Sequence, residues 1–394
     1  MSTNDPIVIV SARRTPIGSF QGSLAGAKAP QLGTAAIAAA MEDAKLGSSD
    51  VSEVIFGCVL PAGLGQAPAR QASLGAGIDK GTGCTTINKV CGSGMKAVMM
   101  GHDLIAAGSA EVIVAGGMES MTNAPYLLPK ARGGMRMGHQ EVIDHMFFDG
   151  LQNPYDGQMM GGFGETCADK YNFTREAQDE FAIESVKLAQ TAVEKGYFKD
   201  EITPVTIKGR KGETVVDTDE EPGKCNVDKI PTMRAAFKKD GTVTAATSSS
   251  ISDGASALIL MRASEAEKRG LEPLGRIVGH AGHAQEPEWF TTAPVGAIKQ
   301  LQERLGWSVD DVDLYEVNEA FAVVAMAAMH DVGIPREKLN INGGACALGH
   351  PIGATGARII TTLLHSLKRN GGKRGIASLC IGGGEATAIA VERL

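Results

Sequence analysis

With 394 residues, 43% of them apolar and 21% charged, the chain is long enough for two or three domains and has an ordinary globular composition. A net charge of −7 without a clustered basic patch excludes nucleic acid as an expected partner, because phosphate binding needs grouped Lys and Arg; a polyanionic small molecule needs only a few local cations. The start, Met1-Ser2-Thr3-Asn4-Asp5-Pro6, lacks a signal-like pattern and no run of about 18 apolar residues predicts a membrane span, while seven scattered cysteines without a C-x-x-C pair point to reduced thiols in the cytoplasm rather than to disulfides or a zinc ribbon.

Short β-branched runs recur along the chain: Ile7 to Val10, Val54 to Phe56, Val112 to Val114, Ala257 to Leu260, Arg276 to Val278, Leu314 to Val317, Ile376 to Leu379 and Ala388 to Val391. Helical patterns cover Leu32 to Lys45, Gly94 to Ala107, Pro294 to Leu305 and Ala357 to Lys368. Alternating short strands and helices predict an α/β fold with buried sheets. Residues 120–249 break the alternation, with Gly-rich stretches at Arg132 to His139 and Gly157 to Gly164. They also hold a helix from about Arg175 to Lys195, capped by Thr174, whose apolar positions share one face. This middle region is read as an insertion. A helix–strand–glycine unit opening at Gly94 and ending at Ala115-Gly116-Gly117 returns from Gly356 to Cys380-Ile381-Gly382-Gly383, which suggests two duplicated halves.

Three glycine-rich turns carry reactive side chains. Cys91 stands before Gly92-Ser93-Gly94 and a helical pattern, where the peptide dipoles are expected to lower a thiol below its free value of ~8.5. His350 sits between glycines and next to Pro351, and histidine is the usual base for a thiol. Cys380 leads Ile381-Gly382-Gly383-Gly384, whose N–H groups could face an oxyanion, and a second thiol suits removal of a proton next to a thioester. Asn318, in Asn318-Glu319-Ala320-Phe321 at a strand end, could donate to an oxyanion or serve only as a helix cap. For each thiol the competing reading is an inert buried cysteine. His280-x-x-His283 has no Cys or carboxylate at ligand spacing nearby, so no metal site is expected; the glycines after His350 do not match a dinucleotide fingerprint. Acyl transfer through a cysteine is the chemistry these residues point to.

Taken together, Asn88-Lys89-Val90-Cys91-Gly92-Ser93-Gly94, Asn318-Glu319-Ala320-Phe321, Asn342-Gly343-Gly344 through His350-Pro351-Ile352-Gly353, and Cys380-Ile381-Gly382-Gly383-Gly384 resemble the signature blocks of the thiolase family. Ser11 to Gly18 and Gly116 to Met121 fit as well, and the blocks occur in family order over essentially the whole chain. The resemblance implies a five-layer αβαβα fold from two halves, residues 1–119 with 250–272 and residues 273–394, with an inserted loop domain at 120–249 for coenzyme A binding and tetramerisation. It implies Cys91 as the acylated nucleophile, His350 as its base and Cys380 as the second acid/base. Asn318 (through a water) with His350 would form one oxyanion hole, and the N–H groups of Cys91 and Gly382 the other.

The implied reaction is the reversible, ping-pong Claisen condensation of two acetyl-CoA to acetoacetyl-CoA and CoA, with the thioester as substrate and no further cofactor. The alternative within the fold is a 3-ketoacyl-CoA thiolase for longer chains in fatty-acid degradation. A decarboxylating condensing enzyme would lack Cys380, and a CoA-binding protein without catalysis would not need the full set. Ser249 keeps the serine expected against CoA, although Ala246 and Ser250 stand where glycines are common. Lys224, with Arg210 and Lys211, could meet the CoA phosphates. Short-chain members often carry His before Met-Gly; here the loop reads Gln158-Met159-Met160-Gly161, so Gln158 is taken as the pocket residue. Phe290 would shorten the acyl site toward two-to-four-carbon groups. Met121 to Gly138 resembles the family's tetramerisation loop, so a homotetramer (a dimer of dimers) is the expected assembly.

Overall fold

The computed structural model describes residues 5–210 and 212–394. The chain opens with strand β1 (Ile7–Arg14), the short β2 (Gly18–Ser19), helix α1 (Ala29–Asp43), β3 (Glu53–Gly57), α2 (Pro68–Gly75), β4 (Gly83–Ile87), α3 (Ser93–Ala106) and β5 (Val112–Ser120). It then leaves the sheet for the hairpin β6 (Tyr126–Leu127) and β7 (Ile143–Asp144), helices α4 (Met160–Tyr171) and α5 (Arg175–Glu194), the hairpin β8 (Val205–Gly209) and β9 (Gly212–Val216), and the one-turn α6 (Glu221–Lys224). It returns as β10 (Ser252–Arg262), α7 (Ala263–Lys268), β11 (Gly275–Ala284), α8 (Ala293–Leu305), β12 (Leu314–Val317), α9 (Ala322–Val332), the one-turn α10 (Ala345–Leu348), α11 (Thr355–Asn370), β13 (Arg374–Ile381) and β14 (Glu385–Glu392).

The strands run in the order β4-β3-β5-β10-β1-β11-β14-β13-β12. The unit β3-β5-β10-β1 and the unit β12-β13-β14-β11 repeat one topology: a parallel first pair, then antiparallel neighbours. The two units meet at β1 and β11 through just Val8↔Arg276 and Ile9↔Gly275. Side chains alternate along each strand and both faces are apolar. Val112 and Val114 face α1 and α2, whereas Ile113 and Ala115 face the middle helices. Helices α3 and α11 lie between the two sheets, and α8 and α9 cover the far side of the second. The result is five layers: α1/α2, sheet, α3/α11, sheet, α8/α9.

The middle layer is tight. A Cβ on Gly94 would stand 2.8 Å from Ala357 N, and one on Gly356 would collide with the Met95 backbone, so α3 and α11 touch backbone to backbone. The excursion between β5 and β10 is tied down by a buried charge cluster. Arg14, 0% exposed on β1, donates to Glu201 at 2.6 Å and to both oxygens of Asp219 at 2.7 and 2.8 Å. Thr174 caps α5 by accepting from Ala177 N at 3.2 Å, as its sequence suggests. The Gly-rich stretch 157–164 is not a loop throughout: α4 starts inside it. Gly161 is small there because a Cβ would run into the Phe237 ring. Short α2 and the half-exposed edge strand β4 also escape the sequence pattern, because too few of their positions are buried to set a period.

Replacing Gly356 by alanine is expected to force α3 and α11 apart and to lower stability by about 1–3 kcal/mol, the usual range for overpacking. A shifted midpoint in chemical denaturation measures it.

Candidate active site

Cys91 lies in the turn between β4 and α3. Asn88 Oδ1 accepts from Val90 N at 2.8 Å, and Ser93 Oγ accepts from Lys89 N at 2.9 Å while donating to Val90 O at 2.7 Å. These bonds hold Val90 at φ 46°, a left-handed conformation that costs a β-branched residue about 1–3 kcal/mol. Lys89 pairs with Glu385, which joins the turn to the start of β14. The turn leaves Cys91 part-exposed on a cavity of ≈ 590 Å³, together with His350 and Gly382.

The expected lowering of the Cys91 thiol does not occur. Burial pushes it up to about 11, and Glu119 adds to the rise. The N–H groups of Gly382 and of Cys91 itself pull the other way, yet do not offset the lost hydration. Cys380, 1% exposed near the end of β13, is raised well above the ordinary thiol range by burial and by the nearness of Cys91.

His350 follows α10 and the left-handed Gly349, and its N–H donates to Ser250 O at 3.1 Å. Its Nδ1 lies 2.7 Å from Thr355 Oγ1, which gives its own proton to Pro351 O at 2.9 Å. Thr355 can therefore only accept, so Nδ1 carries the hydrogen and Nε2 keeps a free lone pair. Burial, helped by Arg358, pulls the imidazole down to about 3, so it is neutral. Asn318 Nδ2 stands 3.5 Å from Nε2, and its buried Oδ1 has no partner among the described residues. The neighbouring Glu319 fixes this segment by accepting from Ser185 Oγ (2.7 Å), Asn340 Nδ2 (2.8 Å) and Cys346 N (3.1 Å). Thr355 and Glu319 are positioning groups that received no role from the sequence, although Thr355 sits at the helix start just after His350 and Glu319 lies within a recognised block.

Apolar residues wall the rest of the cavity, among them Leu151, Met159, Met160, Phe290 and Phe321. Phe290 is buried, with its ring edge-on to Phe163 and Phe321 at 6.3 Å from each. Ser249 lines the cavity, and its N–H donates to Ala320 O at 3.0 Å. The turn before it, with Ala246 in place of glycine, is held by side chains: Thr247 Oγ1 accepts from Thr244 N at 2.8 Å, and Ser248 Oγ donates to Thr244 O at 2.7 Å; Ser250, the other departure from glycine, follows directly. Lys224 also borders the cavity, half exposed, but its charge is shared with Glu220 at 2.6 Å.

Gln158 is exposed, donates to Asp156 at 3.0 Å and does not line the cavity; Met159 and Met160 do. Arg210 is exposed beside the β8–β9 turn and away from the lining, and Lys211 lies outside the described residues. His280 does meet a carboxylate, contrary to the local spacing: Asp103 of α3 is 2.9 Å from its Nε2 and 3.1 Å from His102 Nδ1. His283 turns instead to Gln285.

A neutral imidazole whose Nε2 lone pair meets only the long Asn318 contact, one thiol on the cavity wall and a second buried close to it form a site suited to transferring acyl groups through sulfur. The chain belongs to the thiolase family: the thiolase N-terminal domain matches residues 7–264 and the thiolase C-terminal domain residues 271–393. It is 48% identical to an acetyl-CoA acetyltransferase of Schizosaccharomyces pombe, over 99% of this chain and 100% of that one. It is 50% identical to acetyl-CoA acetyltransferase 2 of Arabidopsis thaliana, over 98% and 97%. A thiolase from Ascaris suum, crystallised in complex with coenzyme A, superposes with a TM-score of 0.94 at 41% identity, covering 99% of this chain and 100% of that one.

Alkylation of Cys91 by iodoacetamide should keep accelerating above pH 9, as expected for a thiol at about 11. A rate that levels off near pH 8.5 would show that the helix end outweighs burial.

Proposed function

We infer that this chain is an acyltransferase that condenses two acetyl-CoA molecules to acetoacetyl-CoA and CoA, reversibly and through an acyl-cysteine. Near-complete coverage at 48–50% identity by relatives named acetyl-CoA acetyltransferase carries the reading. It favours acetoacetyl-CoA over longer ketoacyl chains, as does the buried aromatic cluster around Phe290.

The roles follow from the chemistry of the site. Cys91 sulfur attacks the acetyl carbonyl as its proton passes to His350 Nε2. The oxyanion is met by oriented donors, each worth about 3 kcal/mol when lost. The N–H groups of Gly382 and Cys91, which already favour a thiolate here, supply one set, and Asn318, through a water, with His350 supplies the other. The departing CoA sulfur takes the proton of Cys380. Cys380, now a thiolate opposite an imidazolium, removes a methyl proton from the second acetyl-CoA. The carbanion attacks the acetyl group on Cys91, and the freed sulfur recovers its proton from His350. Two easier steps replace one hard condensation. The reaction so written draws on no resident cofactor.

Ser249 and Lys224 are the residues we assign to CoA, with the insertion at 120–249 as its binding domain between halves at 1–119 with 250–272 and at 273–394. Exposed Tyr126, Leu128 and Met137 support association of this region into a homotetramer. Seven free cysteines fit a reducing cytoplasm, and among the described residues no helix is long and apolar enough to cross a membrane.

Incubation with acetyl-CoA should leave an acetyl adduct on the wild type and none on Cys91→Ser, read by mass spectrometry. Cys380→Ser should still acylate Cys91, slowed only by the lost proton donor to the CoA sulfur, yet condense at least about a hundredfold more slowly; equal loss of both steps would refute its role as the base toward the second acetyl-CoA. In thiolysis the wild type should favour acetoacetyl-CoA, and clear preference for an eight-carbon ketoacyl-CoA would reject the short-chain assignment.

A further inference from the structure

Glu119, near the end of β5, takes no part in the chemistry above, yet it is 0% exposed and gathers donors from two segments far apart in the chain. Val59 N reaches its Oε2 at 2.9 Å, Leu60 N its Oε1 at 3.1 Å and Gly353 N its Oε2 at 2.9 Å, and the Cys58 thiol lies 3.7 Å from Oε1. Gly353 closes the loop that begins at His350. The other bonds of that loop run to Ser250, to Asn318 and to the start of α11. The Glu119 contact adds a tie from the loop to β5 and the Cys58–Leu60 segment, deep in the half of the molecule that carries Cys91.

The fit is close on every side. A Cβ on Gly353 would stand 2.5 Å from Glu119 Oε2 and 2.8 Å from Met118 O, and one on Gly117 would collide with the Gly353 carbonyl. Ile352 packs with Val59 and Leu60 in a small cluster that Cys91 borders. Burial pushes the carboxyl up to about 7 against the donors that favour its charged form.

We propose that Glu119 is a positioning residue of the acyl-transfer site, whose carboxylate pins the His350 loop to the Cys58–Leu60 segment and so sets where the imidazole stands relative to Cys91. The proposal rests on the roles assigned above to Cys91 and His350. A misplaced imidazole slows attack without weakening the hold on CoA, whose assigned contacts lie elsewhere in the cavity.

The test is Glu119→Gln, which keeps the shape but turns an N–H₂ toward groups that are themselves donors. With the fold checked by its thermal transition, kcat should fall at least tenfold while KM for acetyl-CoA moves less than threefold, and acetylation of Cys91 should slow in proportion. Glu119→Asp, still an acceptor but too short to span, should fall between the two. A folded Glu119→Gln with wild-type kcat, or with kcat and KM changed together, overturns the proposal. If neither variant folds, hydrogen exchange on the wild type decides. The Val59, Leu60 and Gly353 amides should be protected to a similar degree, and a freely exchanging Gly353 amide overturns the idea. Absence of an acetyl adduct on wild-type Cys91 would instead refute the acyl-transfer roles themselves.

Discussion

The site depends on one steric condition, the backbone contact between α3 and α11 in the middle layer. Cys91 precedes the first of these helices and His350 the second. Only because Gly94 and Gly356 carry no side chain can the two helix starts lie side by side and present a thiol and an imidazole to one cavity. Duplicated topology supplies the rest: β13 brings Cys380 and Gly382 to the same end through the second sheet. The chemistry proposed above thus falls at the junction of two units of like topology.

Desolvation is the second theme. It sets the state of Cys91, Cys380, His350 and Glu119 alike, and in each case it is the largest influence. The buried charge of Arg14 is paired with Glu201 and Asp219, which fastens the long excursion to β1. Removing one partner from such a set strands the others in a dry interior, a loss of about 3–5 kcal/mol.

Much of this was legible in the sequence, for local reasons. Cys91, His350 and Cys380 each sit on a glycine-rich turn, and close turns are written in consecutive residues. The main strands read as continuous β-branched runs because both their faces are buried, and helices such as α5 and α8 follow a period of 3.6 because one face is. What escaped is what the chain makes only at long range. The Asp103–His280 contact joins α3 to β11, and Glu119 collects donors from segments far apart in the chain. The direction of the Cys91 shift was missed because a helix end can be read from a sequence and the depth of its surroundings cannot. Lys224 is an intermediate case: Glu220 stands four residues before it, a readable spacing for a partner that shares its charge. Gln158 shows the limit of substituting one loop position for another, since its side chain folds back on Asp156 while the methionines that follow face the cavity.

The sulfur of Cys91 and the ring of His350 hold their proton unequally, one pushed up to about 11 and the other drawn down to about 3. With nothing bound, the hydrogen stays on sulfur. Peroxide and other oxidants attack thiolates far faster than thiols, so an idle molecule offers them little to consume. On the acyl-transfer roles proposed above, an electrophile arriving beside the ring switches reactivity on, and the same desolvation that makes the cysteine look sluggish keeps it in its less oxidisable form between turnovers.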